Sequence, residues 1–370
     1  MLSNTLYRLT HEKSLRIAYF GGSITEGGGE NGWRRLTTKW FASHWSDAVI
    51  CEINAAIGGT GTDLGVYRCD RDVLANAPDL TFIEFAVNDS TYRPEDLSRT
   101  TEAIVRKLRS ANPYMDIVFV FTITKKIHEE LTIGIPYRSR DVHSAIAAHY
   151  HLPTIDAGTP LAEAALKAEK GWLEYTSDTV HPIASGYAVK EKALLEGLSP
   201  LLDGSAPDAP VEFAMPAPLY DQLPVNAHLI DAYELAKTSN PAVNWDHIQP
   251  DTSVVRGWSQ LYLNLCNRWP STIGANRPGA EFTISFTGSN LGIYWMMSSD
   301  SGDIDYQIDG GAWQHKSSFD VYCLRFARAN FHMLACGLEN KQHTVVIRIS
   351  ETKNEQSIGH WVRIGAFGIS

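Results

Sequence analysis

No apolar run in this 370-residue chain approaches the ~20 residues that a membrane-spanning helix needs. Basic residues are in deficit. There are 32 Lys and Arg against 42 Asp and Glu, a net charge of −10. Such a surface repels phosphate backbones, so nucleic acid is not an expected partner. Cysteine is scarce, with only Cys51, Cys69, Cys266, Cys323 and Cys336. The number is odd and no C-x-x-C spacing occurs, which fits reduced thiols better than a disulfide framework or a zinc site. The first twenty residues, MLSNTLYRLTHEKSLRIAYF, lack the apolar core and small-residue cleavage site of a signal peptide. With reduced thiols, this sets the expectation of a cytoplasmic protein. H-E-x-x-H is missing, against a zinc peptidase, and G-x-S-x-G is missing, against the nucleophile elbow of the α/β-hydrolases. Internal repeats and low-complexity tracts are also missing.

What is present is an alternation. The runs LRIAYF (15–20), AVICEI (48–53), LTFIEF (80–85), IVFVFTI (117–123) and LPTID (152–156) read as strands. Helical stretches such as WRRLTTKWFASHW and SRTTEAIVRKLRSAN lie between them. Near-continuous apolar strands alternating with helices predict an α/β domain with a parallel sheet covered on both faces, over residues 1–202. Residues 203–219 are rich in Pro, Ala and Asp and read as a linker. From 220 to 370, runs such as EFTISFTG, DIDYQIDGG and HTVVIRIS alternate at period two between turn residues, which predicts an all-β sandwich.

Open parallel sheets bind ligands at the carboxyl edge of their strands. Ser23 follows the first strand in FGGSITEGGGENGW. NAAIGGTGT, with Gly58, Gly59 and Gly61, follows the second. AVNDS, with Asn88 and Asp89, follows the third. SDTVHP, with Asp178 and His181, follows the fifth. Among 13 histidines only His181 has an aspartate three residues before it. Pro182 biases His181 toward extended backbone, so the pair sits on a loop. A carboxylate that close can accept from Nδ1–H and leave Nε2 for a distant serine, the logic of a hydrolase triad. Taken singly, each feature has a bland reading: a turn serine, an Asx turn or helix cap, a surface histidine.

Four such blocks in this order resemble the SGNH (GDSL-type) hydrolases over roughly residues 14–200. The resemblance implies a flavodoxin-like sheet of five parallel strands and metal-free ester hydrolysis without a cofactor. It implies Ser23 as nucleophile, Asp178 and His181 as its partners, and an oxyanion hole of Ser23, Gly59 and Asn88. Two positions depart from the family pattern. Gly22 stands where aspartate is usual, and Ala86 where glycine is usual. Both weaken transfer of a lipolytic substrate preference. The C-terminal module resembles carbohydrate-binding-module-like sandwiches attached to carbohydrate esterases. The expected activity is therefore removal of acetyl groups from oligosaccharides, with acetylated manno-oligosaccharides first and xylo-oligosaccharides second. A lipolytic esterase or thioesterase on the same triad, and a catalytically silent sugar-binding protein, are the alternatives.

A competing motif is G-x-G-x-x-G at Gly27, Gly29 and Gly32, with Glu52 about 20 residues on. It starts several residues after the strand ends, away from the strand–helix turn where a pyrophosphate would sit, and leaves Asn88, Asp178 and His181 unexplained. Trp33 fits either helix-start packing or contact with substrate. Arg138, in IPYRSRD, fits a substrate contact or a solvated helix start. Trp258, Trp269, Trp295, Trp313 and Trp361 of the second domain fit sugar platforms or a sandwich core. The acidic stretch from Asp300 to Asp305 fits a hairpin turn or a calcium loop.

Overall fold

The computed structural model describes residues 1–239, 246–248 and 272–370. They form two compact units, Met1–Val225 and Asn226–Ser370.

The first unit opens with helix α1 (Ser3–Tyr7), then strand β1 (Ser14–Gly21), α2 (Ser23–Glu26), α3 (Trp33–His44), β2 (Val49–Asn54) and α4 (Thr62–Asp72). Next come β3 (Leu80–Glu84), α5 (Pro94–Ala111), β4 (Asp116–Phe121), α6 (Lys125–Thr132), α7 (Arg138–His149), β5 (Thr154–Asp156), α8 (Thr159–Lys167) and α9 (Ala184–Leu198). The five strands make one parallel sheet in the order β2-β1-β3-β4-β5. All five apolar runs read from the sequence lie in it. One face of β1, Leu15, Ile17 and Tyr19, packs in a core with Phe41 of α3 and Leu194 and Leu198 of α9. Helices α4, α5 and α7 pack on one another, and Gly65 of α4 approaches Phe85 at the end of β3. The strands β3 and β4 are buried at every residue because helices cover both faces.

Residues 203–219, expected as a tether, lie along this first unit. Val211 exchanges hydrogen bonds with the Asn4 amide (2.7 and 2.8 Å). The Phe213 ring lies 3.8 Å under the Arg109 guanidinium. The N–H groups of Leu219 and Tyr220 donate to buried Glu102 (2.7 and 3.0 Å). Proline and alanine keep the segment extended, and side chains of the first unit satisfy its backbone groups.

Among its described residues, the second unit holds β6 (His228–Asp231), α10 (Ala232–Ser239) and nine further strands. These are β7 (Asp246–Ile248), β8 (Thr272–Ala275), β9 (Glu281–Gly288), β10 (Leu291–Met297), β11 (Asp303–Ile308), β12 (Gln314–Ser317), β13 (Arg328–Ala335), β14 (Lys341–Ile349) and β15 (Val362–Ile369). One antiparallel sheet runs β13-β10-β15-β8-β7, with β6 also paired to β15, and the other β12-β11-β14-β9. Both supply one core, with Phe282, Ile347, Trp295 and Phe367. Trp295 is thus a core residue, its Nε1–H donating to His332 Nδ1 (3.1 Å). Trp313 is exposed, with the Arg348 guanidinium 3.8 Å over its ring. Trp258 and Trp269 lie outside the described residues. The acidic turn is engaged by basic side chains: Arg363 grips both oxygens of Asp300 (3.0 and 2.9 Å), and His315 bonds Asp303 and Asp305. Among the described residues, no helix is long and apolar enough to cross a membrane.

Candidate active site

The glycines after β1 are there for close approach. A Cβ on Gly21 would fall 2.6 Å from both Glu84 O and Thr25 Oγ1, and one on Gly22 would fall 2.0 Å from Asn88 Oδ1. Without side chains at these two positions, the ends of β1 and β3 meet, and Ser23 opens the short helix α2 at the rim. The turn is braced from beneath. Arg68, 1% exposed, donates to Gly21 O (3.1 Å) and to Ala55 O, joining the ends of β1 and β2. Its guanidinium lies over the Phe20 ring (4.5 Å). The buried Glu84 carboxyl accepts the hydroxyls of Thr25 and Thr122, each at 2.7 Å. Burial pushes its pKa up, against the two hydroxyls and the Lys190 charge.

Across the rim, Ser23 Oγ lies 2.8 Å from His181 Nε2, and His181 Nδ1 lies 2.7 Å from Asp178 Oδ2. The carboxylate fixes the tautomer: Nδ1–H donates to it, and Nε2 is left to accept the serine proton. The other oxygen, Asp178 Oδ1, accepts the backbone N–H of His181 (2.8 Å) and of Val180 (3.1 Å). Burial pushes the Asp178 carboxyl up, but hydrogen bonds from the His181 N–H and ring outweigh it and hold the carboxyl below its ordinary range. Thr179, between them, takes a left-handed φ of 68°. The turn is pinned by Thr179 N–H to Thr176 Oγ1 (3.1 Å), Lys125 N–H to Thr179 O (3.1 Å) and Ser177 N–H to His181 O (2.9 Å).

Three donors face no protein acceptor among the described residues: the N–H of Ser23, the N–H of Gly59 and the side-chain amide of Asn88. The neighbouring Gly58 N–H differs, since it donates to Glu26 Oε2 (2.7 Å). A Cβ on Gly58 would lie 3.4 Å from Ser23 Cβ, so this loop runs against the nucleophile position. Gly59 has a φ of 73°, which a glycine adopts without strain.

One expected contact falls elsewhere. Trp33 is 2% exposed, packed edge-on against Tyr19 (5.2 Å) and Phe82 (5.9 Å). It is a core residue that substrate does not reach, because α3 turns its first side chain under the sheet. Arg138 is exposed at the first residue of α7, and its neighbour Ser139 bonds Ala86 O (2.6 Å) on the Asn88 segment. Sequence reasoning missed Arg68, Glu84, Glu26 and His143. Charged residues in otherwise apolar stretches were the available signal for the first two.

Residues 19–189 match the profile of the GDSL-like Lipase/Acylhydrolase family. The first unit carries a GDSL-type hydrolase domain. That places the protein among the carboxylic ester hydrolases. The described fold extends the likeness to both units. A crystal structure of a two-domain esterase (CEX) active on acetylated mannans superposes with a TM-score of 0.78 at 23% identity, covering 100% of this chain and 95% of that one. A crystal structure of a two-domain esterase (CEX) active on acetylated mannans, co-crystallized with mannopentaose, gives 0.75 at 23% identity, covering 99% and 94%. At that identity the likeness establishes the fold. No curated protein matches this chain in sequence.

Proposed function

We propose that the protein is a serine carbohydrate esterase that removes O-acetyl groups from oligosaccharides. The observation that carries this reading is the unbroken chain Ser23 Oγ–His181 Nε2, His181 Nδ1–Asp178 Oδ2, at 2.8 and 2.7 Å. His181 takes the proton as Ser23 Oγ attacks the acetyl carbon. Asp178 keeps the ring oriented and stabilises the imidazolium. The carbonyl oxygen, now an anion, receives the N–H of Ser23, the N–H of Gly59 and the Asn88 amide, donors that need no new partner broken to serve it. As the C–O bond breaks, His181 gives its proton to the departing sugar oxygen, which leaves as a hydroxyl. Water, deprotonated by the same nitrogen, releases acetate from the acyl-enzyme. No ion enters the scheme.

The likeness of the whole fold to an esterase active on acetylated mannans supports acetylated manno-oligosaccharides as first substrate and xylo-oligosaccharides as second. None of Cys51, Cys69 and Cys323 forms a disulfide, which suits a cytoplasmic enzyme meeting short oligosaccharides. Arg138, exposed at the start of α7, is the proposed substrate contact that remains on this unit. The test is acetate release from a panel of acetylated oligosaccharides, beside aryl esters of increasing chain length. Acetyl should be preferred over butyryl, since each added methylene in a small pocket must clash or stay wet. A preference for octanoyl esters would favour the lipolytic alternative.

A further inference from the structure

Asn88 stands half-buried at the rim, while the next residue, Asp89, is buried at 1% exposure. The Asp89 carboxylate reaches in two directions. Its Oδ1 accepts the Thr62 N–H at 2.9 Å, the first N–H of α4 and three residues beyond Gly59. An anion there also meets the positive end of that helix. Its Oδ2 accepts from His143 Nε2 on α7 at 3.0 Å, and both side chains are buried. Helix α7 is tied to the same segment a second time, through Ser139 Oγ and Ala86 O.

The surroundings fit around this carboxylate. A Cβ on Gly61 would sit 2.2 Å from Asp89 Oδ1 and 2.6 Å from the Tyr92 ring, so the approach of the two loops needs glycine. Asp63, next to Thr62, accepts the Gly61 N–H (3.2 Å) and is hydrogen-bonded to Tyr92. Burial, and then the Asp89 charge, push its pKa up to about 6. A buried charge is costly to place and costly to leave unpaired. Here a single carboxylate joins the Gly59 loop, the Asn88 turn and α7.

We infer that the Asp89–His143 pair positions the oxyanion site: it fixes the separation between the Gly59 N–H and the Asn88 amide, and so acts on the reaction without touching substrate. The inference rests on the assignment of those two groups as oxyanion donors. Donors aimed where charge develops act on the transition state more than on bound substrate, so loss of their alignment lowers kcat and leaves KM nearly unchanged.

The experiment uses the full chain and an aryl acetate, with thermal unfolding recorded for every variant. Asp89→Asn and His143→Leu should each lower kcat about ten- to a hundredfold with KM within about twofold of wild type. His143→Gln, whose amide can donate where Nε2–H stood, should recover most of that loss. The deciding measurement is a cycle with Asn88→Ala. Once that donor is gone, His143→Leu should cost only about threefold or less, because residues acting through one group are not additive. Should Asp89→Asn fail to fold, the His143 pair and its cycle carry the test alone. Additive losses in the cycle, failure of His143→Gln to recover activity, or a rise in KM at unchanged kcat would each overturn the positioning role. Unchanged kcat in folded Asn88→Ala would instead remove the oxyanion assignment itself. A fall in Asn88→Ala with full activity in folded His143→Leu would remove only the role of the pair.

Discussion

Lys190 of α9 is 1% exposed, and among the described residues its Nζ has no hydrogen-bond partner. It lines a narrow gap with Trp33, whose Nε1–H likewise bonds none of the described residues. Burial pushes the ammonium pKa down from 10.5 to about 8, against the attraction of Glu84 and Asp156. The sign follows from proton linkage. The unfolded chain holds this proton up to its ordinary pKa, and the folded chain releases it near 8. Folding therefore bears an ionisation cost below pH 8, and stability recovers as pH rises toward 10.5. At about 1.4 kcal/mol per decade, the cost at pH 7 is about 3 kcal/mol. Lys190→Met keeps the stem volume and deletes the charge. Glu84 then loses a compensating cation, which reduces the gain to about 1–3 kcal/mol. For a unit of this size, a gain of about 2 kcal/mol raises Tm by about 4–8 °C. The assay is thermal and urea unfolding of wild type and variant from pH 6 to 10. The two curves should differ most at pH 6–7 and converge near the alkaline end. A destabilised variant at pH 7, or a difference that does not change with pH, would refute the reasoning and make the Glu84 attraction the dominant contribution.

Asn88→Ala should lower kcat by about 10²–10³, or about 3–4 kcal/mol, with little change in KM, in steady-state hydrolysis of an aryl acetate. If KM alone rises, Asn88 binds the ground state. Chelator should leave turnover intact, and zinc-restorable loss would contradict the serine mechanism. A chain ending at Val225, which keeps the docked 203–219 segment, should retain hydrolysis of a small aryl acetate and lose more on acetylated oligosaccharide. Equal losses on both substrates would deny the second unit a part in recognising the sugar.

The strands and the four rim blocks were legible because each rests on a local signal: an apolar run, a glycine-permitted turn, an aspartate three residues before a histidine. The docking of residues 203–219 was not, because composition reports an extended backbone but not that Asn4, Glu102 and Arg109 wait to satisfy it. The burial of Trp33 was hidden for a similar reason. A tryptophan opening a helix faces solvent or core according to how that helix meets the sheet. Asp89 and His143 are 54 residues apart, and Glu84 and Thr25 are 59 apart. No sequence periodicity links such pairs; the parallel topology does.

The most direct measurement compares wild type, Ser23→Ala and His181→Ala for acetate release from acetylated manno-oligosaccharide, followed by mass spectrometry, with the folded state of each confirmed by thermal unfolding. The proposed mechanism predicts steady deacetylation by wild type and a fall in kcat of about 10⁴ or more in both variants at near-native Tm. Retention of most of the activity by folded Ser23→Ala would contradict it.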